Sequence, residues 1–244
     1  MQERTHHPSG TLGLAVALAA AAGFVDAHLY VNVTPVFVAN MSGNLIHLGI
    51  FVGDGGASPA MATLLALTAF TAGVIAATLH HDRRVARGRE VHPAFLLAVE
   101  GVLLVGLTAW LVIVRTSFTA RPRAADLPVL AVAAFAMGIQ ASALRRVGEI
   151  AVATTYGTGA IVRIGEKVVL AARRADRSST HRRRVAIAVL AIVLVSYVAG
   201  AAVATLAGSS PWLLALPTVL VLACAVTSRS AREALVEVEA SPGG

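Results

Sequence analysis

Long apolar blocks broken by short polar ones dominate the chain. Six blocks read as full membrane spans: 11–30, 59–79, 93–114, 127–144, 185–207 and 211–227. A helix crossing the hydrocarbon core needs about 20 apolar residues, with a working range of about 17–25. The pattern predicts an all-α, polytopic bundle of membrane helices with about six full spans.

Two further segments, 36–52 and 150–172, are of a different kind. The first, VFVANMSGNLIHLGIFV, would extend about 25 Å as a helix, short of the core of about 30 Å. Its middle holds Asn40, Ser42, Gly43, Asn44 and His47. The second carries Thr154, Thr155, Tyr156, Gly157, Thr158 and Gly159, then Arg163, Glu166 and Lys167. Both read as short polar or re-entrant segments, and whether they span or re-enter stays open.

The loops set a topology. Loop 80–92 holds Arg83, Arg84, Arg87 and Arg89, and loop 173–184 holds Arg173, Arg174, Arg177, Arg182, Arg183 and Arg184. Arginine-rich loops belong on the cytoplasmic side. Loops 53–58 and 208–211 have no basic residue and belong outside. Eight crossings would put the two arginine clusters on opposite sides. Six crossings put both clusters, and both termini, inside, and leave 228–244 as a cytoplasmic tail that frays. The discordant loop is 115–126, with Arg115, Arg121 and Arg123 outside.

The segments also suggest an internal repeat. GFVDA at 23–27 precedes SGNL at 42–45 much as GIQAS at 138–142 precedes TGAI at 158–161. The chain is then one transmembrane domain, 1–244, of pseudo-repeat halves 11–114 and 127–227. Three crossings per half make the halves inverted, a plan used by transporters whose broken helices meet near the midplane.

Composition agrees and excludes other classes. The chain has 244 residues, 57% of them apolar and 14% charged, with a mean hydropathy of +0.75. Too few polar residues remain to cover a soluble domain of this size. The net charge of +7 falls in clusters between apolar blocks, which points to topology and away from nucleic acid. Cys224, the one cysteine, permits no intrachain disulfide and no thiolate metal site. An apolar run at 11–22 reads as an uncleaved first helix instead of a signal peptide.

Asp26 is the sharpest chemical signal. An ionised Asp near a helix centre costs about 3 kcal/mol on insertion scales. It reads either as a proton or cation site or as an interfacial carboxylate bonded to loop groups such as Asn32. Glu100 reads as a coupling carboxylate or as an interhelical partner. Asn40, Ser42, Gly43 and Asn44, with Thr155, Tyr156, Thr158 and Gly159 in the second half, could line a solute pathway or serve small-residue helix packing. Arg163 and Glu166 can pair on one helix face. His80, His81 and His92 read as interfacial, and no metal or other cofactor is expected. No phosphate loop, dinucleotide fingerprint or nucleophile elbow is present, so no enzyme activity is expected.

The stretches GFVDA (23–27), VFVANMSGNL (36–45), AMGIQASALRR (136–146) and TTYGTGAIVR (154–163) together resemble the YoaK family of bacterial multi-pass membrane proteins. Ala141 stands where that family has Asn, after Gln140. The resemblance implies a bacterial inner-membrane protein of about six or seven helices and no established activity.

The expectation is a secondary transporter or channel for a small polar solute in the bacterial cytoplasmic membrane. Asp26, Asn40, Ser42, Gly43, Asn44, Gln140, Thr155, Tyr156, Thr158 and Gly159 are its pathway candidates, and Asp26 and Glu100 its protonatable groups. An accessory or assembly protein without a pathway is the alternative, and an intramembrane enzyme a more distant one. Lipid and an unknown solute are the expected partners, with homo-oligomerisation open.

Overall fold

A computed structural model describes residues 8–89, 93–114, 122–143, 146–147, 150–151, 157–172 and 177–240. The helices are α1 (Pro8–Asn32), α2 (Met41–Gly53), α3 (Ala57–Ala86), α4 (Pro93–Val114), α5 (Asp126–Ala143), α6 (Gly157–Ala172), α7 (Arg177–Ala207) and α8 (Ala215–Ala240). Six of them are long and apolar enough to cross a membrane, and α2 is a shorter apolar helix. Helices suit this setting because they satisfy their own backbone groups where no water can.

Glycines decide which helices touch. A Cβ on Gly23 of α1 would overlap the Tyr197 carbonyl of α7, and one on Gly200 of α7 would overlap the Ala20 carbonyl of α1. The two backbones are therefore in contact at a reciprocal crossing. Farther along, Asn32 Nδ2 donates to the Gly208 carbonyl (3.4 Å), so the pair runs parallel. α3 and α5 repeat this arrangement. Gly73 abuts the Phe135 carbonyl and Gly138 the Phe70 carbonyl, and Ser58 Oγ donates to the Pro122 carbonyl (3.1 Å) near their N-terminal ends.

The remaining contacts follow the same exchange. α2 packs on α3 as α6 packs on α7, α1 meets α8 as α5 meets α4, and α4 lies against α8. Exchanging α1–α4 for α5–α8 leaves this pattern of neighbours unchanged. The buried core runs along α1 and α5, with Leu18, Val25, Leu29, Leu130 and Met137. The opposite faces, among them Val102, Ile113, Val195 and Val219, are exposed and apolar, as lipid contact requires.

Several boundaries differ from the sequence pattern, and α3 and α7 reach into the arginine-rich loops, to Ala86 and from Arg177. The first polar segment is not a helix from 36; residues 33–40 form an irregular turn, and α2 starts at Met41. The second opens on a strand, β2 (Ile150–Ala151), paired antiparallel with β1 (Arg146–Val147) just before the segment, ahead of α6. Two-residue strands are too short to show alternation, and Val and Ile suit them locally. The last helix does not stop at 227, because α8 continues to Ala240.

Candidate functional site

Asp26 sits on the buried face of α1, 2% exposed. Its Oδ1 accepts from the backbone N–H groups of Val38 (2.6 Å) and Ala39 (2.9 Å). Its Oδ2 accepts from the Asn40 N–H (3.0 Å) and the Tyr197 hydroxyl (2.6 Å). Three successive N–H groups at a helix start make an anion nest, strengthened by the helix dipole. Here the anion is a side chain of the same protein. The carboxylate is held by four donors and fixes the start of α2 against α1. Its partners are residues 38–40 and Tyr197; Asn32 instead contacts His28 Nδ1 (3.3 Å).

The asparagines complete the turn. Asn40 caps α2, its Oδ1 accepting from the Gly43 N–H (3.2 Å) and the Ser42 hydroxyl (2.9 Å). Asn44 is fully buried. Its amide accepts from the Phe37 N–H (3.0 Å) and donates to the Phe37 carbonyl (2.6 Å), as a paired strand would. Gly43 leaves room for the Phe37 ring, which a Cβ would meet at 2.9 Å. The Asn-Met-Ser-Gly-Asn run thus folds the backbone of 36–44 into a bonded knot.

Ring stacking gives the direction of α2. Phe37 lies on Tyr30 (4.3 Å) and His47 (5.6 Å), and His47 on Tyr30 (6.1 Å). Residues 38–40 are level with Asp26, while His47 is level with Tyr30, one turn nearer the C-terminal end of α1. α2 therefore rises in the same direction as α1. Its 13 residues cover about 20 Å. Residues 33–53 enter and leave on the side where α1 ends.

Other candidates lie elsewhere. Gln140 is buried on α5, and its Nε2 donates to the Leu18 carbonyl of α1 (2.8 Å), joining the first helices of the two halves. Thr158 is exposed and Gly159 half-buried on the first turn of α6. Thr154, Thr155, Tyr156 and His92 lie outside the described residues. Arg163 and Glu166 are exposed on α6. Among the described residues no cluster of three or more His, Cys, Asp or Glu could hold a metal ion. Arg123, just before α5, pairs with buried Asp126 (3.5 Å), which also accepts from the Arg123 N–H (2.8 Å) at the start of α5.

Glu100 stands apart from the Asp26 knot. It is wholly buried on α4, which packs against α5 and α8. Neither carboxyl oxygen has a hydrogen-bond partner among the described residues. Leu222 closes over the adjacent Gly101, and Cys224 is an electrostatic neighbour.

Tyr197 is the site residue that the sequence pattern missed. Its signal was a polar aromatic in an apolar run, three residues before Gly200. Asp26 stands three residues after Gly23. At the matching places in the other pair stand Ala141, three after Gly138, and Phe70, three before Gly73. The polar link exists on one side of the bundle, and its counterpart is apolar.

The chain is 28% identical over 211 residues to the UPF0700 transmembrane protein YoaK of Bacillus subtilis (strain 168), covering 85% of this chain and 89% of that protein. No solved structure matches. The model of the family DUF1275, described as a protein of unknown function, matches residues 14–227. With its glycine crossings, the irregular turn 33–40 and nearly the whole of six helices able to span a membrane covered by that match, the chain belongs to the DUF1275 family of multi-pass membrane proteins.

Proposed function

We propose that the protein is a secondary transporter or channel for a small polar solute in the bacterial inner membrane, with both termini cytoplasmic and no catalytic centre. The observation that carries this reading is the depth of the irregular backbone 33–40, which reaches the level of Asp26 inside the bundle. Non-helical backbone at membrane depth is tolerated where protein buries it or where it lines a watery cavity, and it commonly builds solute sites. The interchangeable packing of the two halves supports an inverted repeat. α1, α6 and α7 form one body and α2, α3 and α5 the other, with α4 and α8 between them. Asp26 and Tyr197 latch the first body to the start of α2 and position the pathway wall without themselves binding solute. Glu100, on α4 between the bodies, is the protonatable group.

The complete bonding of Asp26 favours a second reading, an accessory membrane protein in which the knot is purely structural. The two separate in one experiment. Purified protein is screened for thermal stabilisation by amino acids, sugars, nucleosides and organic acids. Compounds that stabilise it are then tested for flux in proteoliposomes. A stabilising solute carried above the protein-free rate supports transport. Absence of flux for every compound, with a stoichiometric membrane partner copurifying, selects the accessory role.

A further inference from the structure

The last turns of α3 make a cationic pocket that the proposed pathway does not use. A cavity of about 370 Å³ is lined by Ala76, His80, Arg83, Arg84, Arg87 and Arg89. Positions 76, 80, 83, 84 and 87 fall on one helical face by their spacing. Arg89 lies beyond the helix and needs another cause to join them. Gly88 supplies it with φ +63°, the left-handed conformation that glycine adopts freely. The Gly88 N–H donates to the Val85 carbonyl (2.9 Å) and the Arg89 N–H to the Arg84 carbonyl (2.9 Å). This is a Schellman ending, and it folds Arg89 back over the turn that bears Arg84. His80 stacks on Phe95 at the start of α4 (4.6 Å), which ties the pocket's inner wall to the next helix.

Depth and charge define the ligand. α3 has 30 residues and extends about 45 Å, well beyond a core of about 30 Å. Its last two turns therefore stand at headgroup level. Among the described residues no carboxylate lines the cavity, and the nearby Asp82 faces His81 (3.6 Å). Exposed Leu79, Val85 and Phe95 supply apolar surface beside the cations. Guanidinium groups match phosphate oxygens in a planar, two-bond geometry, and basic pockets at membrane edges hold anionic headgroups. We infer that the pocket of His80, Arg83, Arg87 and Arg89 is a binding site for a phosphate mono- or diester, the headgroup chemistry of an anionic phospholipid.

The test uses the full chain purified in a neutral detergent. Binding of dioctanoyl phosphatidylglycerol, dioctanoyl phosphatidylcholine and glycerol phosphate is measured by native mass spectrometry and by thermal shift. Wild type is expected to bind the phosphatidylglycerol at least tenfold more tightly than the phosphatidylcholine. The variant Arg83→Gln/Arg87→Gln/Arg89→Gln is expected to lose at least tenfold, with its melting midpoint unchanged without lipid. The control Arg163→Gln/Lys167→Gln, on the basic helix α6, is expected to keep wild-type binding. Glycerol phosphate binding as tightly as the lipid identifies a free phosphate ester as the ligand; binding of the diacyl compound alone identifies a membrane lipid. Equal binding of both lipids, triple-variant binding within twofold of wild type, or an equal loss in the control overturns the site. Should the triple variant not fold, Arg87→Gln alone is read by the same criteria with a threefold loss expected.

Discussion

The Tyr197 hydroxyl donates to Asp26 Oδ2 at 2.6 Å, and each residue lies three positions from the glycine that lets its helix touch the other. The same carboxylate holds the N–H groups of 38–40. Asp26 thus joins α1, α7 and the start of α2. Asp26→Ala leaves three backbone donors and a phenol without their acceptor. It is expected to destabilise by about 3–5 kcal/mol, as removal of one partner from a buried ionic contact does. Tyr197→Phe removes one charged hydrogen bond and should cost about 1.5–3 kcal/mol. Denaturant unfolding in mixed micelles measures both. An Asp26→Ala protein as stable as wild type would rule out the latch.

Two sets of helical glycines contrast. Gly23, Gly73, Gly138 and Gly200 each face a neighbouring carbonyl, whereas Gly49, Gly106 and Gly165 have nothing within 4 Å of an added Cβ. Alanine at any of the first four must push two backbones apart and should lower stability by about 1–3 kcal/mol or more. Alanine at the other three should be neutral or stabilise by up to about 1 kcal/mol. The melting midpoints of the seven single variants decide it. Equal effects in the two groups would contradict the crossings.

Glu100 should separate stability from activity. Its two oxygens are buried and have no hydrogen-bond partner among the described residues, so Glu100→Leu removes a desolvated polar group and is expected to be neutral or stabilising by about 1–3 kcal/mol. The same variant should abolish solute flux in the proteoliposome assay if Glu100 is the coupling group. A Glu100→Leu protein that is less stable than wild type would reveal an unrecognised structural partner.

Re-entry of residues 33–53 has a topological readout. In a Cys224→Ala background, Val31→Cys, Asp54→Cys and Ser209→Cys should react with an impermeant thiol reagent from one side of sealed vesicles. Arg87→Cys should react from the other. A segment that crossed the membrane would place Val31→Cys and Asp54→Cys on opposite sides.

Much of this architecture was legible in the chain. The six spans follow from apolar length, and the shortness and polar middle of 36–52 mark a segment of another kind, though not whether it spans or re-enters. GFVDA and GIQAS stood out as matching motifs of a repeat, and the close approach at their glycines did not. Which backbone each glycine meets was not legible, because Gly23 of α1 meets α7 and Gly73 of α3 meets α5, neither the next helix in sequence. The Asp26 cluster was seen as polar groups at depth, but its internal bonding could not be read without the turn that brings 38–40 back to α1. Tyr197 escaped because a single tyrosine in an apolar run fits an interfacial position equally well. The β1–β2 ladder and the Schellman ending at Gly88 depend on local backbone geometry that composition does not encode.

The exchange of partners between halves bears on how the protein is made. During synthesis α1 enters the membrane long before α7, the helix its glycine was shaped to meet, has left the ribosome. α3 likewise waits for α5. Neither half can bury its own crossing surfaces, so the nascent first half must remain an unlocked set of helices, held by lipid or by the insertion machinery, until the second half arrives. Completion of the fold is thereby an event of the C-terminal half, and a chain cut between α4 and α5 is expected to regain its shape when the two pieces meet in the same bilayer.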